Sequence, residues 1–265
     1  MSGRVTLQWF RIGAITLFVI VAVAHLVASC DGVLWIGEPL GNQSPAGIYN
    51  GFVRSTVTMP APDRLVTGVI SEDSQVHFLI QGFVSQYGGV VSVDGDKLTG
   101  TLTEYVGAQA RFFGFDGVQS ITLAGTVSEH DNVSGNYSGD DDGFFSLDYD
   151  ANYEHASSLD QTSGVWTFDM SSSGGAIYNV TLDIDPDGRL FGMDTNGCVF
   201  SGALGIIDGR YNAYGVIVSM TSCGPVDGEF SGLAYRGDFA TGSTTPQLFM
   251  FFTNDRYAFS TIFSQ

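Results

Sequence analysis

Lysine is almost missing from this 265-residue chain, which carries one, Lys97, and only ten Lys and Arg in all against 28 Asp and Glu. The resulting formal net charge of −18 repels phosphate and excludes a basic nucleic-acid footprint. Charged residues are also scarce, at 14% against 44% hydrophobic, a balance that excludes intrinsic disorder and coiled coil. Cysteine occurs three times with no C-x-x-C spacing, and no histidine follows His155, so zinc or dithiol chemistry in the second half lacks partners. No stretch after residue 45 repeats at 3.6 residues, and the Rossmann, P-loop and G-x-S-x-G patterns are absent. What is abundant is glycine, at 35, with 20 Phe and 11 Tyr, the composition of short strands joined by tight turns. The expected class is all-β.

The first thirty residues read as a targeting segment. Arg4 and Arg11 precede an apolar run from Ile12 to Val27, and small residues Ala28 and Ser29 stand before Cys30. The run Leu26-Val27-Ala28-Ser29-Cys30 resembles the lipobox of bacterial lipoproteins. That resemblance implies a signal peptide over residues 1–29, acylation of Cys30, and a membrane attachment through the N-terminal lipid. An uncleaved anchor is the alternative, because the run approaches the ~20 residues that span a bilayer. Both place the rest of the chain outside the cytoplasm, in the cell envelope, facing the periplasm or the cell surface. Asp31 resembles an inner-membrane retention signal, a rule that varies between lineages, so the membrane stays open. With Cys30 lipidated, Cys198 and Cys223 remain as an even pair in an oxidising compartment, and a disulfide between them is expected.

Residues 30–45 are rich in turn formers and read as a tether. Beyond them period-two runs recur, as in Lys97-Leu98-Thr99-Gly100-Thr101-Leu102 and Phe144-Phe145-Ser146-Leu147-Asp148-Tyr149, with Asp94-Gly95 and Asp187-Gly188 as hairpin turns. Val133-Ser134-Gly135-Asn136-Tyr137-Ser138-Gly139 matches Val226-Asp227-Gly228-Glu229-Phe230-Ser231-Gly232, Gly47-Ile48-Tyr49 resembles Gly164-Val165-Trp166, and the hairpin around Asp94-Gly95 resembles the one around Asp187-Gly188. A duplicated unit follows, residues 46–155 and 156–265, each an antiparallel β-barrel or β-sandwich. Gly100, Gly125, Gly202 and Gly232 within strand patterns fit strongly coiled sheets. The body is similar to the small calycin-like or transferrin-binding-protein-like β-barrels of surface lipoproteins, a resemblance of architecture that brings no ligand with it.

Candidate chemistry is sparse. Asp183, Asp185 and Asp187, with Gly188 and Asp194, stand at much of a calcium-loop spacing, but strand-like flanks, Arg189 in the seventh position and Asp rather than Glu in the twelfth favour a hairpin turn. Asp140-Asp141-Asp142, grouped with Glu129 and Asp131, reads as a solvated loop tip. His77, His130 and His155 read as exposed or hydrogen-bonded. Phe112-Phe113-Gly114-Phe115 and Phe249-Met250-Phe251-Phe252 put aromatics on both strand faces, as a ligand-lined barrel, an inter-unit interface or two-sheet packing would require. The expectation is therefore a non-enzymatic envelope lipoprotein, a binding or structural module with no cofactor and no catalytic or metal residues, facing an envelope protein partner. The alternative is a carrier or enzyme for a small apolar or glycan ligand. An apolar cavity inside a barrel would favour the alternative, and filled interiors the module.

Overall fold

The computed structural model describes residues 41–56, 62–80, 85–106, 117–171, 177–237 and 245–265. Cys30 and the rest of the leader, and Phe112, Phe113 and Phe115, lie outside these residues. Among the described residues, sixteen strands close into two antiparallel barrels of eight. The first contains β1 (Gly47–Ser55), β2 (Arg64–Ile70), β3 (Gln75–Ile80), β4 (Ser85–Asp94), β5 (Lys97–Val106), β6 (Gly117–Ser128), β7 (Asn132–Ser138) and β8 (Gly143–Asp150). The second contains β9 (Gly164–Ser171), β10 (Ile177–Ile184), β11 (Arg189–Asp194), β12 (Val199–Ile206), β13 (Tyr214–Thr221), β14 (Gly228–Arg236), β15 (Gln247–Thr253) and β16 (Ala258–Ser264). Each strand pairs with its neighbour in sequence, and the rings close between β1 and β8 and between β16 and β9, so neither barrel leaves an open edge. No described helix is long and apolar enough to cross a membrane.

Alternation builds both interiors. In β5, Leu98 and Leu102 point inward while Thr99 and Thr101 are exposed; in β13, Val216, Val218 and Met220 point inward while Ile217 is exposed. Gly202 and Gly232 face the same way as these inward residues. A Cβ on Gly202 would stand 1.9 Å from the Ile217 carbonyl oxygen, and one on Gly232 1.9 Å from that of Phe251. Only hydrogen fits where adjacent strands coil this tightly.

The duplication is architectural, and the short sequence matches run out of phase with it. Val133 to Gly139 covers β7, the seventh strand of its barrel, whereas Val226 to Gly232 leads into β14, the sixth of its own. The Asp94-Gly95 turn joins the fourth and fifth strands, while Asp187-Gly188 joins the second and third. The true counterpart of the latter is Ser71 to Gln75. In that turn Gln75 N–H donates to Ser71 Oγ at 3.2 Å; in the second barrel Arg189 N–H donates to Asp185 Oδ1 at 2.9 Å. Both turns need a left-handed residue, Ser74 at φ 66° and Gly188 at φ 82°. The opening strands do correspond: Tyr49 Oη donates to the Pro45 carbonyl at 2.9 Å, and Trp166 Nε1 donates to the Thr162 carbonyl at 2.7 Å, each four residues upstream.

Both barrels belong to one compact unit, residues 41–265. A third apolar cluster, separate from the two interiors, joins them: Ile48, Val69 and Leu79 from the outer face of the first barrel meet Leu233, Phe251 and Ala258 from the second. Phe249 and Phe251 therefore serve the inter-barrel contact, while Met250 and Phe252 line the second interior. Thr67 and Tyr235 hydroxyls meet at 3.2 Å across it, and Tyr105 Oη donates to the Asn254 carbonyl at 2.7 Å. The connection between barrels holds a 3₁₀ turn, Ala151–Glu154, and a single helical turn, Leu159–Thr162. Asn212 Nδ2 ties that connection to β14 by donating to the carbonyls of Asn152 at 3.2 Å and Arg236 at 2.7 Å.

Candidate functional site

The barrel interiors are packed with their own side chains. The first retains a cavity of about 40 Å³ between residues such as Val66, Phe78, Leu102 and Phe145, and the second one of about 20 Å³ between Leu182, Phe200, Met250 and Phe259. A water takes up roughly 30 Å³ in the liquid, and small-molecule pockets run from about 300 Å³ upward. At one mouth of the first barrel, Tyr87 Oη donates to Glu104 at 2.9 Å and Ser55 Oγ to Asp141 at 2.7 Å, around an opening of about 30 Å³. Burial, then the neighbouring Asp141 carboxylate, push the Tyr137 phenol there up to about 12. This opening too is smaller than a small-molecule ligand.

The acids of the calcium-like spacing separate along a hairpin. Asp185 Oδ1 accepts the backbone N–H groups of Asp187 and Arg189, each at 2.9 Å, and Arg189 reaches the carboxylates of Asp185 and Asp187 at 3.4 Å. Asp183 lies on β10 opposite Phe191. Asp194 ends β11, about 17 Å from Arg189 at strand rise, where its Oδ1 accepts from Asn196 N–H at 2.7 Å and Cys198 N–H at 2.9 Å. Among the described residues no group of three or more acids, histidines or cysteines could hold a metal ion. Cys198 and Cys223 form the expected disulfide, with Cα atoms 4.5 Å apart, linking the β11–β12 and β13–β14 turns.

Two sequence readings need correction. Asp140 to Asp142 and Glu129 to Asp131 flank opposite ends of β7 and make no cluster, because a strand separates their turns. Asp142 instead accepts Ser138 Oγ at 2.7 Å. His77 is neither exposed nor fully hydrogen-bonded: it is 4% exposed, its Nδ1 has no partner, and burial pushes it down to about 4. The other histidines follow the expectation, with His155 Nδ1 3.2 Å from the Asn152 carbonyl and His130 exposed.

A concentration of chemistry missed in the sequence lies where the barrels meet. Tyr153, from the 3₁₀ turn, stacks on Tyr211 with centroids 5.0 Å apart and packs edge-on against Tyr149 at 6.3 Å; the His130 ring stacks on Tyr149 at 5.3 Å. Carboxylates surround these rings. Tyr149 donates to Glu154, Tyr153 Oη donates to Glu72 at 3.4 Å, and His130 Nε2 lies 3.7 Å from Glu154 and 4.0 Å from Glu129. Partial burial, then the negative charge of Asp208, raise the Glu72 carboxyl above its ordinary value, while hydrogen bonds from Arg210 hold Asp208 down at about 2. The Arg210 guanidinium lies 5.1 Å from the Tyr211 ring centre, so one of these rings already carries a cation. These residues come from positions 72 to 211, from four separate turns and, for Tyr149, the end of β8, with no local spacing to announce them.

No family model matches the chain, and no curated protein matches it. Among solved structures it is similar to a provisionally named outer membrane protein of Bacteroides fragilis NCTC 9343, at 12% identity over 83% of this chain and 96% of that one, with a TM-score of 0.26. It is also similar to the isotype 1 transferrin binding protein B of serogroup B Neisseria meningitidis, at 10% identity over 78% of this chain and 60% of that one, with a TM-score of 0.23. At such scores neither likeness bears on function, which has to be read from the barrels and their surfaces.

Proposed function

We propose that the chain is a non-enzymatic envelope lipoprotein, held to the membrane by acylated Cys30, whose paired barrels form a module that binds a partner protein on its outer surface. The observation that carries this reading is the filled state of both barrels: cavities of about 20 and 40 Å³ leave no room for the small ligand of a carrier. The lipobox-like run ending at Cys30 supports the anchor. The junction face of Glu72, Glu129, Tyr149, Glu154, Asp208 and Tyr211 is the contact surface, and its excess of carboxylate around half-exposed rings suits an Arg- or Lys-rich segment. The dispersal of those carboxylates suits an extended cationic chain better than a single metal ion.

Two measurements test the two halves separately. Metabolic acyl labelling of the full chain is expected to mark the wild type and to be lost in Cys30→Ala; unlabelled wild type would end the anchoring claim. Fluorescence anisotropy with a labelled peptide of alternating arginine and serine tests the surface. Glu129→Gln combined with Glu154→Gln is expected to weaken binding about tenfold, as losing charge pairs at a contact does. Asp140→Asn combined with Asp255→Asn removes as much charge elsewhere and is expected to leave affinity within about twofold, as screening of remote charges predicts. Equal losses in the two double variants would reduce the contact to nonspecific attraction and overturn the surface assignment.

A further inference from the structure

The contact between the barrels is apolar on one side and poorly satisfied on the other. Strand register fixes which side chains face it: Gln86 pairs with Leu79, His77 with Val69, and Ser260 with Phe251, so all three point outward from their barrels beside members of the shared apolar cluster. His77 Nδ1, both amide atoms of Gln86 and Ser260 Oγ are buried with no hydrogen-bond partner. The ring of His77 and the side chain of Thr253, from the other barrel, both approach Gly88 at 3.2–3.3 Å from where its Cβ would stand. A methyl group there would have to push these side chains back by a few tenths of an ångström. Buried polar groups without a protein partner cost free energy that hydration would return if the contact opened.

We propose that this contact is an acid-sensitive hinge, in which protonation of His77 between β3 and the β15–β16 face separates the two barrels while each stays folded. Among the described residues no carboxylate acts on the His77 imidazole. In the strand register His77 lies beside Val69 on β2 and Gly88 on β4, and the Thr253 side chain of β15 reaches the same Gly88; the titratable groups of the contact on neighbouring strands are Tyr105 on β5, paired with Gln86, and Tyr235 on β14, both phenols pushed up by burial. The charged residues of the adjoining turns are Glu72 and Asp73 after β2, and Asp255 and Arg256 before β16. Burial alone lowers His77, with no charge contributing. The sign follows. Between the free value of 6.5 and the buried value of about 4, the open form binds the proton and the closed form does not, so the closed form loses stability as pH falls through that window. Each barrel keeps its own interior cluster, so opening need not unfold either. Opening would also split the junction face, with Glu72 and Tyr149 on one barrel and Asp208 and Tyr211 on the other; that consequence rests on the function proposed above, whereas the hinge does not.

The test is small-angle scattering of the full chain carrying Cys30→Ala, from pH 7 to pH 4, with circular dichroism to follow β content. The expected result is a reversible rise in radius of gyration, with its midpoint between pH 4 and 6.5 and β content unchanged. His77→Leu is expected to abolish the rise while keeping the radius measured at pH 7. A radius constant with pH, a rise that persists in His77→Leu, or a rise accompanied by loss of β content would each overturn the hinge. Failure of peptide binding or of acyl labelling would leave this measurement intact and count against the function alone.

Discussion

At the scale of the residue, side chains with the look of metal ligands turn out to organise turns. Asp185 satisfies two backbone N–H groups, and its counterpart in the first barrel, Ser71, accepts a backbone N–H with a neutral hydroxyl. A position that works with serine in one copy and aspartate in the other needs an oxygen acceptor rather than a negative charge. Asp185→Asn is therefore expected to change stability little, while Asp185→Ala leaves two donors without their acceptor and costs about 1–2 kcal/mol, measured by urea unfolding. Calcium should raise the melting temperature no more than magnesium does at matched ionic strength. Saturable, calcium-selective stabilisation that Asp185→Asn removes would show that the carboxylates converge on an ion after all. The spacing of Asp183, Asp185 and Asp187 was legible in sequence, and so was the Pro-Asp-Gly turn that explains it. The burial of His77 was not, because alternation shows only that a residue points outward and a second barrel supplies the cover.

At the scale of the element, close approach and cross-linking shape the second barrel. Gly202 points inward between Phe200 and Leu204 against the β13 backbone, and a methyl group there meets a carbonyl oxygen at 1.9 Å. Gly202→Ala must push β12 from β13 and is expected to cost about 3 kcal/mol, at the upper end for overpacking. The Cys198–Cys223 bridge, with a sequence separation of 25, joins two turns at one end of the same barrel. Its reduction should cost about 3 kcal/mol on the chain-entropy model, and hydrogen exchange should rise in β11 to β14 well before it rises in β1 to β8. Uniform acceleration across both barrels would contradict that local role. The all-β class, the hairpin turns at Asp94-Gly95 and Asp187-Gly188, the inward glycines and the cysteine pair were all readable, because each is a local consequence of residue type. The alignment of the two copies was not readable. Short strand motifs such as V-x-G-x-aromatic-S-G answer to the demands of any tightly coiled strand and recur at non-equivalent positions, here the seventh strand and the sixth. The junction face was hidden for a related reason: its members sit in turns and at the end of β8, segments that adjoin only once both barrels have closed and packed.

At the scale of the whole molecule, three apolar clusters divide the labour. Two fill the barrels, and the third, centred on Leu233 and Phe251 against Ile48, Val69 and Leu79, holds them together. The aromatic segment at 249–252 serves two clusters at once, Met250 and Phe252 inward and Phe249 and Phe251 outward, which is why its sequence has no polar face. This separation allows the inter-barrel contact to be disrupted without touching either interior. Leu233 is fully buried in the third cluster, and a carboxylate in its place would lose its hydration there, a cost of several kcal/mol that separation into water relieves. Leu233→Asp is therefore expected to convert a single calorimetric transition into two, one for each barrel, and to leave β content at neutral pH unchanged. The barrel stapled by Cys198 and Cys223 should give the transition that shifts when reductant is added. If the variant instead unfolded in one step or lost its β content altogether, the barrels would depend on each other for folding, and the third cluster would be part of a single shared core.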